Sequence, residues 1–131
     1  MSVRVSITQG PLGAWQPEAA PEPGSSGAML LFEGIVRATE DNRPLAALDY
    51  EAYRPMADET IERLALDIIA RHALASMLVE HSIGRVPVGE RSFRTVISSP
   101  HRREALAAMS EFIDRLKADV PIWKTPVWSP A

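Results

Sequence analysis

Lys117 and Lys124 stand seven residues apart in RLKADVPIWKTPVW (115–128), on either side of a helix stop. An amine held in a fixed place can serve as base, nucleophile or charge stabiliser. Lys117 falls in the last turn of the expected helix, where a cation suits the helix dipole, and four residues after Ile113 at the edge of the apolar stripe. That edge predicts a partly desolvated, more nucleophilic amine. Lys124 is flanked by Pro121, Ile122, Trp123, Pro126 and Trp128. Such a setting either mounts the amine rigidly in a pocket or lets its stem lie along aromatic surface with the charge in water.

A second cluster lies in SSPHRREAL (98–106), where Ser99 is the expected cap of a helix, Pro100 its first position, and His101, Arg102 and Arg103 its first turn. Helix N-termini favour anions, so cations crowded there gain nothing locally unless an anion sits among them. Helical spacing puts Arg102 on the side of the apolar stripe and turns Arg103 away, which makes Arg102 the better anion ligand. A solvated turn paired with Glu104 is the plain alternative. Arg37 ends an apolar run just before a loop, in reach of a ligand at a sheet edge or of solvent alone. His81 reads as a satisfied core or edge histidine. The three histidines lack metal-ligand spacing, and no HExxH, GxGxxG, P-loop or nucleophile elbow occurs, so neither metal nor cofactor is expected.

Composition narrows the classes further. A length of 131 residues suits one domain, here 1–131, with enough chain to bury a core. A net charge of -3 and a pI near 5.6, with basic residues scattered among acidic ones, argue against a nucleic-acid-binding face. With no cysteine there are no disulfides, thiolate metal sites or thiol nucleophiles, so any sulfur chemistry needs sulfur from a partner. The apolar runs are far shorter than the ~20 residues of a membrane span and no signal peptide is evident. A soluble cytoplasmic protein is expected.

The elements that must carry these residues follow from hydrophobic period. Val3, Val5 and Ile7 alternate as a strand, and the Pro/Gly-rich stretch 10–27 reads as a long surface loop. AMLLFEGIVR (28–37) reads as a largely buried strand with a bulge or close approach at Gly34, followed by a turn and a hairpin partner at LAALDYEAY. Helical spacing of Ile61, Leu64, Ala65, Ile68 and Ile69 predicts a helix from about Pro55 to His72. MLVEHSIG and RSFRTVIS form two more strands joined through PVGE, and Leu106, Met109, Phe112, Ile113 and Leu116 give the stripe of the second helix. Mixed, mostly antiparallel strands with two main helices define an α+β fold.

Taken in order, GAMLLFEGIVR, LDYEAYRPMA, HSIGRVPVGE, SSPHRREAL and LKADVPIWK resemble the large, catalytic subunit of molybdopterin synthase. The resemblance implies an α/β hammerhead-like fold and a role in molybdenum cofactor biosynthesis. It implies sulfur transfer from the C-terminal Gly-Gly thiocarboxylate of a small ubiquitin-like partner to cyclic pyranopterin monophosphate, forming the molybdopterin dithiolene. It further implies a homodimer within a heterotetramer, Lys117 and Lys124 as catalytic amines, and Arg37, His101 and Arg102 as ligands of the substrate phosphate or the partner's terminal carboxylate. Some positions depart from the family pattern. Thr125 and Pro126 follow the second lysine in place of a basic residue and a glutamate, and Ser82 follows the histidine of the HxIG segment in place of arginine. A binding module that keeps the fold without efficient catalysis is the competing expectation.

Overall fold

A computed structural model describes residues 2–16, 24 and 26–130. The middle of the expected 10–27 loop therefore lies outside the described residues. In chain order the elements are β1 (Ser2–Gln9), β2 (Ala28–Ile35), β3 (Thr39–Glu40), β4 (Arg43–Ala52), α1 (Met56–His72), β5 (Ser76–Pro87), β6 (Arg91–Ser99), α2 (Arg102–Asp119) and β7 (Ile122–Trp128). The strands pair in the order β2-β6-β5-β4-β3, with β1 added on β5 and β7 on β4. All pairings are antiparallel except β1 with β5. The fold is α+β, as the alternation of strand and helix periods predicts.

The long strand β5 ties two layers together. Its residues 76–81 pair with β6, while 84–87 pair with β4. The change of neighbour falls at Gly84, whose φ of +82° suits glycine and few other residues. The two helices cover one face of the first layer. Ile61, Leu64, Ile68 and Ile69 of α1 and Met109, Phe112 and Leu116 of α2 bury against Met77, Val79, Phe93 and Ile97 of the sheet. A smaller core of Val36, Leu45, Leu48 and Val86, flanked by Tyr50 and Trp128, holds β4 and β7 to the end of β5.

Several local expectations are corrected. β2 is an edge strand, not a largely buried one: Met29, Leu31, Phe32 and Ile35 are all exposed. It pairs with β6 and not with β4, and the hairpin partner of β4 is the two-residue β3. The turn between β3 and β4 is made by Asp41 and Asn42, both left-handed at φ 50° and 61°, the geometry of a tight hairpin turn of mirror-image type. The irregularity expected at Gly34 is present as a register shift between Gly34 and Ile35.

On α2 the helix begins two residues later than expected. Its N-cap is His101, with extended backbone at φ -133°, and Ser99 instead bridges the turn. The Ser99 hydroxyl accepts from the His101 backbone N–H at 3.3 Å and donates to the His101 carbonyl at 2.8 Å. Leu106 is exposed, and the buried stripe runs through Ala105, Ala108, Met109, Phe112 and Leu116.

Opposite the helices, pleat alternation turns Glu33, Arg94 and Glu80 onto the other face as one row across β2, β6 and β5. Arg94 is only 4% exposed. It bonds Glu33 at 2.7 and 3.0 Å and Glu80 at 3.0 Å, and donates to the carbonyl of Gly13. Leu12, buried and bridged to Arg91, holds the same stretch of chain against that face.

Candidate functional site

Where the two layers meet, β2, the β3–β4 hairpin, the end of α2 and the start of β7 enclose a cavity of about 410 Å³. That is within the ~300–1,000 Å³ of small-molecule sites. Its floor is a cross-strand row of rings. Phe32 lies 6.0 Å from Phe93, Phe93 lies 5.7 Å from His81, and Tyr50 meets His81 edge-on at 5.3 Å. The row arises because Phe93 and His81 are direct partners across β6 and β5, and Gly34 is the direct partner of Phe93 on β2. A Cβ on Gly34 would come within 3.3 Å of the Phe93 Cβ, so the absence of a side chain there helps keep the ring seated.

The sequence predicts a structural role for His81, and its contacts are those of a fixed ring. It is buried, and its Nδ1 lies 2.8 Å from the carbonyl oxygen of Ser82, a bond that makes Nδ1 the donor. Burial pushes its pKa below the ordinary histidine value, partly opposed by that bond. The ring is therefore neutral at pH 7, and its Nε2 makes no hydrogen bond with the described residues while the side chain lines the cavity. Tyr50 is fixed at its far end by donating to the Ser92 hydroxyl at 3.1 Å.

The rim is cationic. Arg37, Lys117 and Lys124 all line the cavity, and the chain contains no lysine besides these two. Arg37 follows β2 through Val36, which is anchored in the smaller core. Lys117 comes from the last turn of α2, next to buried Leu116. Lys124 is set by the pairing of β7 with β4, opposite Tyr50.

The surroundings of the lysines differ from the sequence reading in two respects. Lys117 is exposed at the cavity mouth, not partly desolvated, because only its neighbour Leu116 turns into the core. Lys124 is not caged by tryptophan and proline: the Trp128 ring carries the Arg43 guanidinium at 3.9 Å, while the Lys124 ammonium pairs with Glu40 at 3.1 Å. Lys117 and Arg37 make no ion pair with the described residues. Three cations against one carboxylate leave an excess of positive charge above an aromatic floor.

His101 and Arg102 do not reach this cavity within one chain. With Arg103 and Glu104 they line a separate open depression at the other end of α2, where all three basic side chains are exposed. Fifteen residues of helix separate Arg102 from Lys117, roughly 22 Å at 1.5 Å per residue.

The fold and the cavity together define a two-helix α+β protein whose sheet edge and second helix enclose a cation-rimmed, aromatic-floored pocket. The chain belongs to the MoaE protein family, whose model matches residues 7–119. The molybdopterin synthase catalytic subunit of Nostoc is 39% identical over 124 residues, 94% of this chain and 75% of that relative. The Bacillus subtilis one is 34% identical over 125 residues, covering 95% and 80%. The human one is 40% identical over 102 residues, covering 78% and 54%. The chain thus spans between about half and four fifths of the length of these relatives. Among solved structures, molybdopterin synthase from Staphylococcus aureus superimposes with a TM-score of 0.78 at 31% identity, over 84% of this chain and 80% of that one. A complex of subunits 1 and 2 of molybdopterin-converting factor from Helicobacter pylori gives 0.74 at 25% identity, over 95% and 84%.

Proposed function

We propose that this chain is a molybdopterin synthase catalytic subunit acting in molybdenum cofactor biosynthesis in the cytoplasm. Its reaction moves sulfur from the C-terminal thiocarboxylate of a small ubiquitin-like partner to cyclic pyranopterin monophosphate. The observation that carries this reading is the convergence of both lysines and Arg37 on one ring-floored cavity. A flat heterocycle suits the row from Phe32 to Tyr50, and a phosphate or terminal carboxylate suits the cationic rim. The absence of cysteine fits sulfur delivered by a partner.

In each of two rounds the thiocarboxylate sulfur bonds to a carbon of the pterin side ring as that carbon's bond to oxygen breaks, the oxygen leaving as water or with its phosphate, and the product is a thioester between partner and pterin. Its acyl–sulfur bond then breaks as water, or first the Lys117 amine and then water, takes the acyl group. The partner leaves as a carboxylate and the sulfur stays on the pterin. Lys117, the amine without an ion-pair partner among the described residues, serves as proton carrier or acyl acceptor. Lys124 and Arg37 stabilise the negative charge that develops on the acyl oxygen and hold the anionic groups.

His101 and Arg102 enter through a second copy. The edge strand β2 exposes Met29, Leu31 and Ile35, an apolar edge that a symmetric homodimer covers, and such a dimer can bring the α2 N-terminus of one protomer to the cavity of the other. With one small partner per cavity the assembly is a heterotetramer. The test is a conversion assay with pure protein, thiocarboxylated partner and pyranopterin, read out as molybdopterin. Conversion with two sulfurs transferred is expected. Partner binding without conversion would overturn the enzymatic reading in favour of a binding module.

A further inference from the structure

The β3–β4 hairpin contributes a residue that no sequence motif singles out. Glu40 sits at the last position of β3, directly before the Asp41–Asn42 turn, and its Oε1 lies 3.1 Å from the Lys124 ammonium. Its Oε2 is shielded from solvent yet has no hydrogen-bond partner among the described residues. A carboxylate that served only to fix the hairpin would bond backbone N–H groups or a neighbouring arginine, since burying an unpaired acceptor costs on the order of 1–3 kcal/mol. Glu40 does neither: among the described residues Lys124 is its one partner, and both line the cavity.

The neighbourhood of Lys124 explains why a carboxylate must come from elsewhere. Trp123, Thr125 and Pro126 flank it along β7, and its partner across the sheet is Tyr50, so no acid arises from its own strand or its direct pair. A lysine side chain on an edge strand is otherwise free to swing into water, and holding one in place costs rotamer entropy. The tight left-handed turn at Asp41–Asn42 folds the hairpin so that Glu40 meets it.

We infer that Glu40 is a positioning residue for the sulfur-transfer site, fixing the Lys124 ammonium at the cavity rim while Lys117 is left unpaired for chemistry. The inference rests on the proposed function for its consequence in turnover, but not for the pairing itself. It divides the two amines by role: the paired one is a held charge, the unpaired one is the group free to exchange a proton or an acyl group. It also sets the cavity's charge, since loss of Glu40 would leave three cations with no acid among the lining residues.

The test uses the fact that Lys117 and Lys124 are the only lysines. Reductive methylation of the full-length protein with ¹³C-formaldehyde gives two ε-dimethyl-lysine signals, assigned with Lys117→Arg and Lys124→Arg. In Glu40→Gln the methylation of Lys124 is expected to accelerate at least threefold and its signal to move, with Lys117 unchanged as an internal control of fold. In single-turnover conversion the same variant is expected to slow at least tenfold, towards the ~10²-fold that a misplacement of about 1 Å can cost, with partner affinity unchanged. Unchanged Lys124 methylation in Glu40→Gln, or equal changes at both lysines, would overturn the pairing. Altered methylation with full conversion rate would overturn its role in turnover. Failure of the unsubstituted protein to convert substrate, with the methylation difference intact, would count against the proposed function and leave the pairing standing.

Discussion

Replacing Arg94 with methionine removes the centre of the ionic row on the sheet face opposite the helices while keeping a long apolar stem. The guanidinium is 4% exposed, Glu33 is 16% exposed and Glu80 25% exposed at the side chain. Breaking a buried pair from one side costs about 3–5 kcal/mol, because the remaining charge is uncompensated. Here two factors pull towards the lower end: Glu33 keeps its ion pair with Arg91 at 2.8 Å, and Glu80 can turn partly to water. The expected loss is therefore about 3 kcal/mol. Equilibrium urea unfolding should show it as a midpoint lowered by roughly 1–3 M at an unchanged slope, given slopes of ~1–3 kcal/mol/M for small proteins.

The pH dependence supplies a second readout with a definite sign. Burial alone would raise the Glu33 pKa, but the bonds and charges of Arg91 and Arg94 outweigh it and hold the carboxyl below its ordinary value of 4.5. A depressed carboxyl contributes stability that is full above the unfolded value and is lost as pH falls through the folded one. Much of that contribution is missing in Arg94→Met. The gap between the two proteins should therefore be widest near neutrality and narrow as the pH drops below 4.5. A midpoint shift under about 0.3 M at pH 7, or a gap that widens on acidification, would refute the assignment of Arg94 as the anchor of this face.

Three further outcomes are expected. Lys117→Ala should lower single-turnover conversion by about 10²–10⁴-fold with circular dichroism and partner affinity unchanged, and Lys117→Arg should not restore it, since arginine does not readily give up a proton; near wild-type conversion by either variant would remove Lys117 from the chemistry. His81→Gln should flatten the decline in stability as pH falls below 6.5, because the unfolded chain takes up a proton that the buried ring resists; parallel urea-midpoint curves for both proteins between pH 7.5 and 5 would contradict this. Gly84→Ala should cost about 1–2 kcal/mol in thermal unfolding, since φ +82° is strained for alanine and its Cβ would stand 2.1 Å from the Gln9 amide nitrogen, forcing that side chain aside; an unchanged melting temperature would count against Gly84 as the joint of β5.

The order of elements was legible because hydrophobic period separates strands from helices, and α1 begins within a residue of its expected start. The misses have physical causes. IWKTPVW carries a weak strand signal because Pro126 cannot donate to a ladder, yet among the described strands β7 pairs with β4 alone, and edge strands tolerate proline. AMLLFEGIVR reads as buried because an apolar run does not say which of its sides finds a neighbour, whereas β2 pairs with β6 along one edge and leaves Met29, Leu31 and Ile35 exposed. The lysines and Arg37 are legible in the sequence, whereas the ring floor is not. Phe93, His81 and Tyr50 meet only through strand register, and Glu40 is hidden in a turn whose composition reads as solvated.

The two lysines are placed by different kinds of support, and this bears on how the cavity keeps its dimensions. Lys117 follows Leu116 at the end of a helix seated in the main core through Phe112 and Leu116, so its position depends on packing against the sheet. Lys124 rides on an edge strand whose register is set by β4, and its side chain is tied to a hairpin turn, so its position depends on hydrogen bonding and one ion pair. Core substitutions should therefore displace the first amine and hairpin substitutions the second. The link between them is short: only Val120 and Pro121 separate α2 from β7, and Val120 is itself buried in the main core. Its backbone N–H returns to the Leu116 carbonyl at 3.1 Å, and the Pro121 carbonyl accepts from Tyr53 at the end of β4. The helix stop between the lysines is thus fastened to both layers at once. It fixes the distance between Lys117, which has no ion pair among the described residues, and Lys124, which is held by Glu40.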